Sequence, residues 1–297
     1  MTEKKHNYGG QAVIEGVMIR GRKVMSTVVR RSNGELVVDT QPLPSIYTGR
    51  LRTVPLTRGI IVLIETLMLG FKTLMYSANV ALEEEGEKVE GPFMWLVMGV
   101  SLAAGIAVFF LGPMFLTKLF TIGNTVIFHL VEGLIRLAIF ILYLKLISLM
   151  PDIKKVFAYH GAEHKVVNAY EAGATLEVEA VSGYSTAHVR CGSSFLFVVL
   201  LLAIMVFSLI GLPSLWIMVL SRLLLIPVIA ALGYEVIYFG ARHTENPLVR
   251  VVLAPGLWMQ KLTTRKPDER QIEVAILALS TVLEADQLPE EALPGPS

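Results

Sequence analysis

The sequence predicts an α-helical integral membrane protein with four transmembrane helices, interfacial helices and a small cytoplasmic β-unit. Three observations carry that prediction. Of 297 residues, 54% are hydrophobic and only 17% charged, where a soluble chain carries roughly 25% charged residues. The deficit is concentrated in a few long apolar runs, as in proteins that use lipid as solvent. Lys and Arg fall almost wholly on one side of those runs.

A helix that crosses the hydrocarbon core needs about 20 mostly apolar residues. The first run spans Phe93 to about Leu116 and is opened by Gly91-Pro92. The second spans Thr125 to Met150 and stops at Pro151. Ser194 to Gly240 holds two more, divided by the turn signal Gly211-Leu212-Pro213-Ser214. Backbone in lipid must satisfy its own hydrogen bonds, so all four runs are expected as helices.

Twelve Lys and Arg precede the first run, four lie between the second and third, and six follow the fourth. Lys118 alone falls on the other side. The positive-inside rule therefore puts both termini and the 152–193 loop in the cytoplasm. Arg58 to Ala81 is also apolar but carries Glu65 and Lys72. It reads as a helix in the cytoplasmic interface, because a fifth span would export the basic 152–193 loop.

The chain divides into a β-rich unit (1–57), the interfacial helix with an acidic linker (58–92), spans one and two (93–150), a cytoplasmic helix and loop (151–193), spans three and four (194–240) and a cytoplasmic tail region (241–297). In the first unit, Val24 to Arg30 and Glu35 to Asp39 flank Asn33-Gly34, a strong hairpin signal. Gln11 to Arg20 alternates, and Gly10 to Gly16 lacks the lysine and spacing of a phosphate loop. Pro151 to Gly173 reads as one helix, and Thr175 to Ala180 as a strand. Pro247 to Thr264 looks interfacial, Glu269 to Leu283 is amphipathic, and the end of the chain from Leu288 reads as a disordered tail.

Several classes are excluded or disfavoured. A net charge of +1 gives no basic surface for nucleic acid. The opening seven residues have no apolar core of a signal peptide. One cysteine, Cys191, rules out an intramolecular disulfide. Transport finds little support, since paired broken helices are not evident.

The chemistry-bearing cluster is His160-Gly161-Ala162-Glu163-His164. Residues four apart share a helix face, so both imidazoles can bind one metal, with Glu163 as general base on its water. His188 and Cys191 follow on the same loop and would complete a closed, structural His3Cys set. A catalytic site would use three protein ligands and keep a position for water, with Glu171 and Glu235 as alternative carboxylate ligands. Zn2+ is the expected ion. In the second span, His129, Glu132 and Arg136 share one face, and Arg222 of the fourth lies at similar depth. An ion pair between Glu132 and Arg222 is the cheapest way to keep both in lipid, and reads as a packing lock rather than a proton path.

Several strings resemble the YqhQ-like family of bacterial membrane proteins. They are Gly9 to Gly21 (GGQAVIEGVMIRG), Tyr159 to Lys165 (YHGAEHK), Arg190 to Phe195 (RCGSSF), Ala254 to Thr264 (APGLWMQKLTT), Pro267-Asp268 and Ile272 to Ile276. Val189 stands where that family usually has proline. The family is commonly labelled a predicted metal-dependent enzyme. The resemblance therefore implies a bacterial inner-membrane location and a centre built from His160, Glu163, His164 and Cys191. Two functions follow as expectations. One is a metal-dependent hydrolase at the cytoplasmic membrane face, acting on a membrane peptide or lipid headgroup. The other is a non-enzymatic factor that docks a protein partner in membrane-protein biogenesis, any metal being structural.

Overall fold

The structure, a computed structural model, describes residues 8–82, 92–243 and 245–288. The acidic linker from 83, the opening seven residues and the tail after 288 lie outside the described residues.

Four strands, β1 (Gly9–Val13), β2 (Gly16–Arg20), β3 (Val24–Arg30) and β4 (Leu36–Pro42), form an antiparallel meander in the order β1-β2-β3-β4. Asn33-Gly34 turns β3 into β4. Gly34 sits at φ 91°, and the Asn33 side chain accepts a hydrogen bond from the Glu35 N–H at 2.8 Å, the local bond that suits Asn to turns.

The helices follow as α1 (Ser45–Thr48), α2 (Thr57–Leu82) and α3 (Pro92–Ile106), which passes through a π-helical turn (Ala107–Leu111) into α4 (Gly112–Lys118). Next come α5 (Thr125–Ile147), α6 (Pro151–Glu171), α7 (Val178–Ser182), α8 (Gly192–Ile210), α9 (Leu215–Arg242), α10 (Pro247–Thr263) and α11 (Glu269–Gln287). Among the described residues, five helical stretches are long and apolar enough to cross a membrane: α2, Trp95–Lys118, α5, α8 and α9.

Both faces of the sheet are covered, which explains why β2 and β3 are buried nearly throughout. Val17, Ile19, Val24 and Val28 face one way and form a core with Tyr159, Ala162 and Val166 of α6 and Ile272, Ala275, Leu279 and Val282 of α11. Met18 and Met25 face the other way, against Tyr47 of α1 and Ile61 and Leu69 of α2, while Val13 and Val29 meet Val80. Strand alternation thus assigns each side chain to one of two helical covers.

Helix α2 is two-faced in an unusual sense. Its polar groups point at the sheet: Glu65 accepts from Arg20 at 2.9 Å and from Arg52, Thr73 meets Gln11 at 2.9 Å, and Ser77 takes the Ile14 N–H at 3.1 Å. Its exposed face carries Ile60, Ile64, Leu67, Met68 and Leu74. Near its start, Gly59 lies so close to Ala231 of α9 that an added Cβ would come within 2.7 Å of the Ala231 Cα.

The strand expected at Thr175 to Ala180 does not form. Residues 175–177 are irregular, and the chain then coils into α7. A single helical turn is what carries Val181 into the core beside α11, with the Val181 N–H donating to the Glu177 carbonyl. Glycine ends α6 as its αL preference dictates: Gly173 sits at φ 75° and Ala174 donates back to Ala169.

Candidate metal centre

Helix α6 builds the site from one face. Pro151 at its first turn and Asp152 near its positive end favour the helix start. At the middle of the helix, His160, Glu163 and His164 project into a cavity of about 70 Å³ whose walls include Gly10, His188 and Cys191. Ligand atoms of His160, His164 and Cys191 all lie within 4.8 Å of one another.

Each imidazole is oriented by a backbone carbonyl. His160 Nδ1 lies 2.9 Å from the Thr263 carbonyl, and His164 Nδ1 lies 2.6 Å from the Thr186 carbonyl. A carbonyl can only accept, so both Nδ1 atoms carry a proton, and in the neutral imidazole form each Nε2 offers a lone pair. His160 Nε2 faces the Cys191 sulfur at 3.4 Å. Cys191 is the N-cap of α8, and the Ser193 N–H donates to its sulfur, so negative charge on a ligating sulfur sits at the favourable end of that helix.

The carbonyls are themselves placed by α6. Lys165 Nζ donates to the Ser182 carbonyl at 2.6 Å and to the Tyr184 carbonyl, and Asn168 Nδ2 donates to those of Ser185 and Ala187. These bonds wrap the 182–187 loop round the helix and aim Thr186 at His164. Burial holds the Lys165 amine below its ordinary pKa, with Lys266 adding to that effect. On the other side, Arg265 N–H donates to the Phe157 carbonyl at 2.9 Å. Gly161 permits that approach, since a Cβ there would collide with the Arg265 carbonyl oxygen.

Glu163 lies beside His164. Its Oε1 accepts from the Gly10 N–H at 2.9 Å, and its Oε2 is 3.6 Å from His164 Nε2. Gly10 can pair in the sheet only as glycine, because a Cβ would strike the Met18 carbonyl oxygen. The sheet therefore reaches the site through one backbone N–H.

The structure separates the remaining candidates from the ligand set. His188 lines the same cavity, but its Nε2 faces Glu171 at 3.3 Å and its Nδ1 takes the Arg190 N–H at 3.4 Å. A four-ligand His3Cys set is therefore not assembled. Glu171 belongs to a clasp with His188 and Arg190; burial alone would raise its pKa, but the hydrogen bonds from both partners hold it down at about 2. Glu235 is bound by Arg58 and by the Leu56 N–H at 3.0 Å. Neither carboxylate joins the converging ligand atoms.

Sequence reasoning missed Gly10, Gly161, Thr186, Thr263 and Gln260. Gln260 Nε2 donates to the His188 carbonyl and the Ser194 hydroxyl, and its Oε1 takes the His188 N–H, each at 2.8 Å. The glycines stand inside the very strings GGQAVIEG and HGAEH that drew attention. Backbone acceptors leave no such trace.

A second polar cluster lies between α5 and α9. Glu132 accepts from Arg136 at 2.7 Å and from Arg222 at 2.8 Å, and His129 Nδ1 lies 2.8 Å from the same carboxylate. Pro113, four residues on, has no N–H to offer the Phe109 carbonyl, which takes the Arg136 Nε–H at 2.8 Å instead. Arg222 stacks on Phe207, 4.2 Å from the ring centre. All four polar residues are buried.

The chain is 36% identical to "Uncharacterized protein YqhQ" of Bacillus subtilis (strain 168), over 96% of its own length and 94% of that protein. No solved structure matches. Residues 54–285, which include α6, Cys191 and the carbonyl of Thr263, match the family described as "Protein of unknown function (DUF1385)", and the chain belongs to that family.

Proposed function

We propose that the protein is a metal-dependent hydrolase embedded in the bacterial inner membrane, with its active centre at the cytoplasmic face. The observation that carries this reading is the pair of Nδ1-to-carbonyl bonds, which leaves the Nε2 atoms of His160 and His164 available as ligands in a cluster with Cys191. The donor set fits zinc. Zinc–nitrogen and zinc–sulfur bonds at the tetrahedral angle separate the two ligand atoms by about 3.5 Å. His160 Nε2 and Cys191 Sγ are 3.4 Å apart.

Three protein ligands leave a fourth position for water, the arrangement of catalytic rather than structural zinc. A bound zinc would supply a Lewis acid that lowers the pKa of water. Glu163 is placed to take a proton at Oε2, while the Gly10 N–H fixes its other oxygen. Cys191 and the two histidines orient, and Gly10 keeps the base in register with them.

The membrane placement is proposed with four spans and α2 in the cytoplasmic interface. Support comes from the two faces of α2: its polar groups are used up by the sheet, and its apolar face is left outward. Lying flat, it would seat the β-unit on the bilayer.

A second reading rests on the same pair. Cys191 at a helix N-terminus beside His160 is also the geometry of an activated thiol nucleophile. Elemental analysis of detergent-purified protein decides between them. About one equivalent of zinc, lost in His160→Ala/His164→Ala, supports the metal reading. Metal-free protein whose Cys191 is alkylated rapidly, and slowly in His160→Ala, supports the nucleophile. Glu163→Gln should keep zinc and lose activity if Glu163 is the base; a silent Glu163→Gln would sink the hydrolase.

A further inference from the structure

A second cavity, of about 590 Å³, opens where the end of α5 meets the end of α10. Its lining contains Lys145, Lys261, Arg265 and Lys266, with Leu144 and Leu262, and no carboxylate. Among the described residues, none of the three lysines is paired with an acidic group. Arg265 donates to the Ser148 carbonyl just past α5 at 3.2 Å, which offsets the negative end of that helix. About one helical turn from Lys145 on α5 and from Lys261 on α10, the apolar side chains of Leu142, Leu149 and Trp258 are all more than half exposed. A space of this size is large enough for a phospholipid headgroup.

We propose that this cavity binds the phosphate of an anionic phospholipid, with the acyl chains lying along the exposed apolar surface of α5. The proposal rests on the membrane placement given above. Basic pockets at the cytoplasmic ends of spans recognise anionic headgroups, each Lys or Arg near the surface strengthening attraction by roughly fivefold. The segment Thr263–Arg265 serves both sites, orienting His160 through the Thr263 carbonyl and lining the lipid cavity with Thr264 and Arg265.

The test uses the full chain in nanodiscs, with Trp95→Phe and Trp216→Phe so that Trp258 reports alone. Quenching by brominated phosphatidylglycerol is compared with quenching by brominated phosphatidylcholine. A preference for the anionic lipid of about fivefold or more is expected. It should fall to about one in Lys145→Gln/Lys261→Gln/Lys266→Gln and survive in the corresponding Lys→Arg variant. Equal quenching in the parent protein overturns the proposal whether or not the Gln variant folds, as does a preference that survives in a folded Gln variant. Displacement of the lipid by inorganic phosphate at constant ionic strength would assign the cavity to a soluble phosphate and overturn the lipid source. Protein that stays soluble without detergent would instead sink the membrane placement.

Discussion

At the scale of residues, three side chains lend themselves to direct test. Among the described residues, Glu132 is the single carboxylate bonded to Arg136 and Arg222. Glu132→Leu should destabilise the protein by about 3–5 kcal/mol, because it leaves buried guanidinium charge unpaired. Adding Arg222→Met should recover part of that loss; denaturation in detergent measures both. Gly161→Ala should cost about 1–3 kcal/mol by overpacking against the Arg265 carbonyl, and should weaken metal retention as Thr263 shifts away from His160. Thermal shift and elemental analysis read the two effects. Glu171 has a folded pKa of about 2 against an ordinary 4.5. A depressed carboxylate stabilises fully above its unfolded value, so the clasp should loosen as pH falls from about 4.5 toward 2. Hydrogen exchange of residues 171–190 should show this in the parent protein and not in Glu171→Gln.

At the scale of elements, the periodicity of the chain made most of the helices legible, and polarity made one of them hard. Gly173 marks the end of α6 and Pro151 its beginning, as glycine and proline do in general. Thr175 to Ala180 misled because β-propensity is a weak guide where one buried valine decides the local path. Helix α2 resisted because Glu65 and Lys72 look like intrusions in a span until their partners are seen, Arg20 and Arg52 for one and Gln41 for the other. The interfacial placement predicts that single cysteines at Thr57 and Leu82, in a Cys191→Ser background, label from the same side of the membrane. Labelling from opposite sides would make α2 a fifth span.

At the scale of the whole molecule, the unit built round the sheet is assembled from pieces far apart in sequence: β1–β4, α6 and α11 share one core. That explains what was legible of the site. His160, Glu163 and His164 could be read because helical spacing places them together without help from the rest of the chain. The carbonyls of Thr186 and Thr263 could not, because they arrive by long connections and carry no side-chain signature. Removing residues 269–287 should therefore unfold the β-unit while leaving the apolar helices inserted. Limited proteolysis should then cut within residues 9–42, where the intact chain resists.

The Thr263 contact also orders events in time. A chain emerging from the ribosome makes α6 before α8, α9 and α10, yet His160 receives its orienting carbonyl only from the far end of α10. The centre can close only once every apolar helix has been delivered. A chain stopped short of α10 would carry both histidines but lack the carbonyl that orients His160, so the geometry of the cluster is coupled to completion of the chain by connectivity alone.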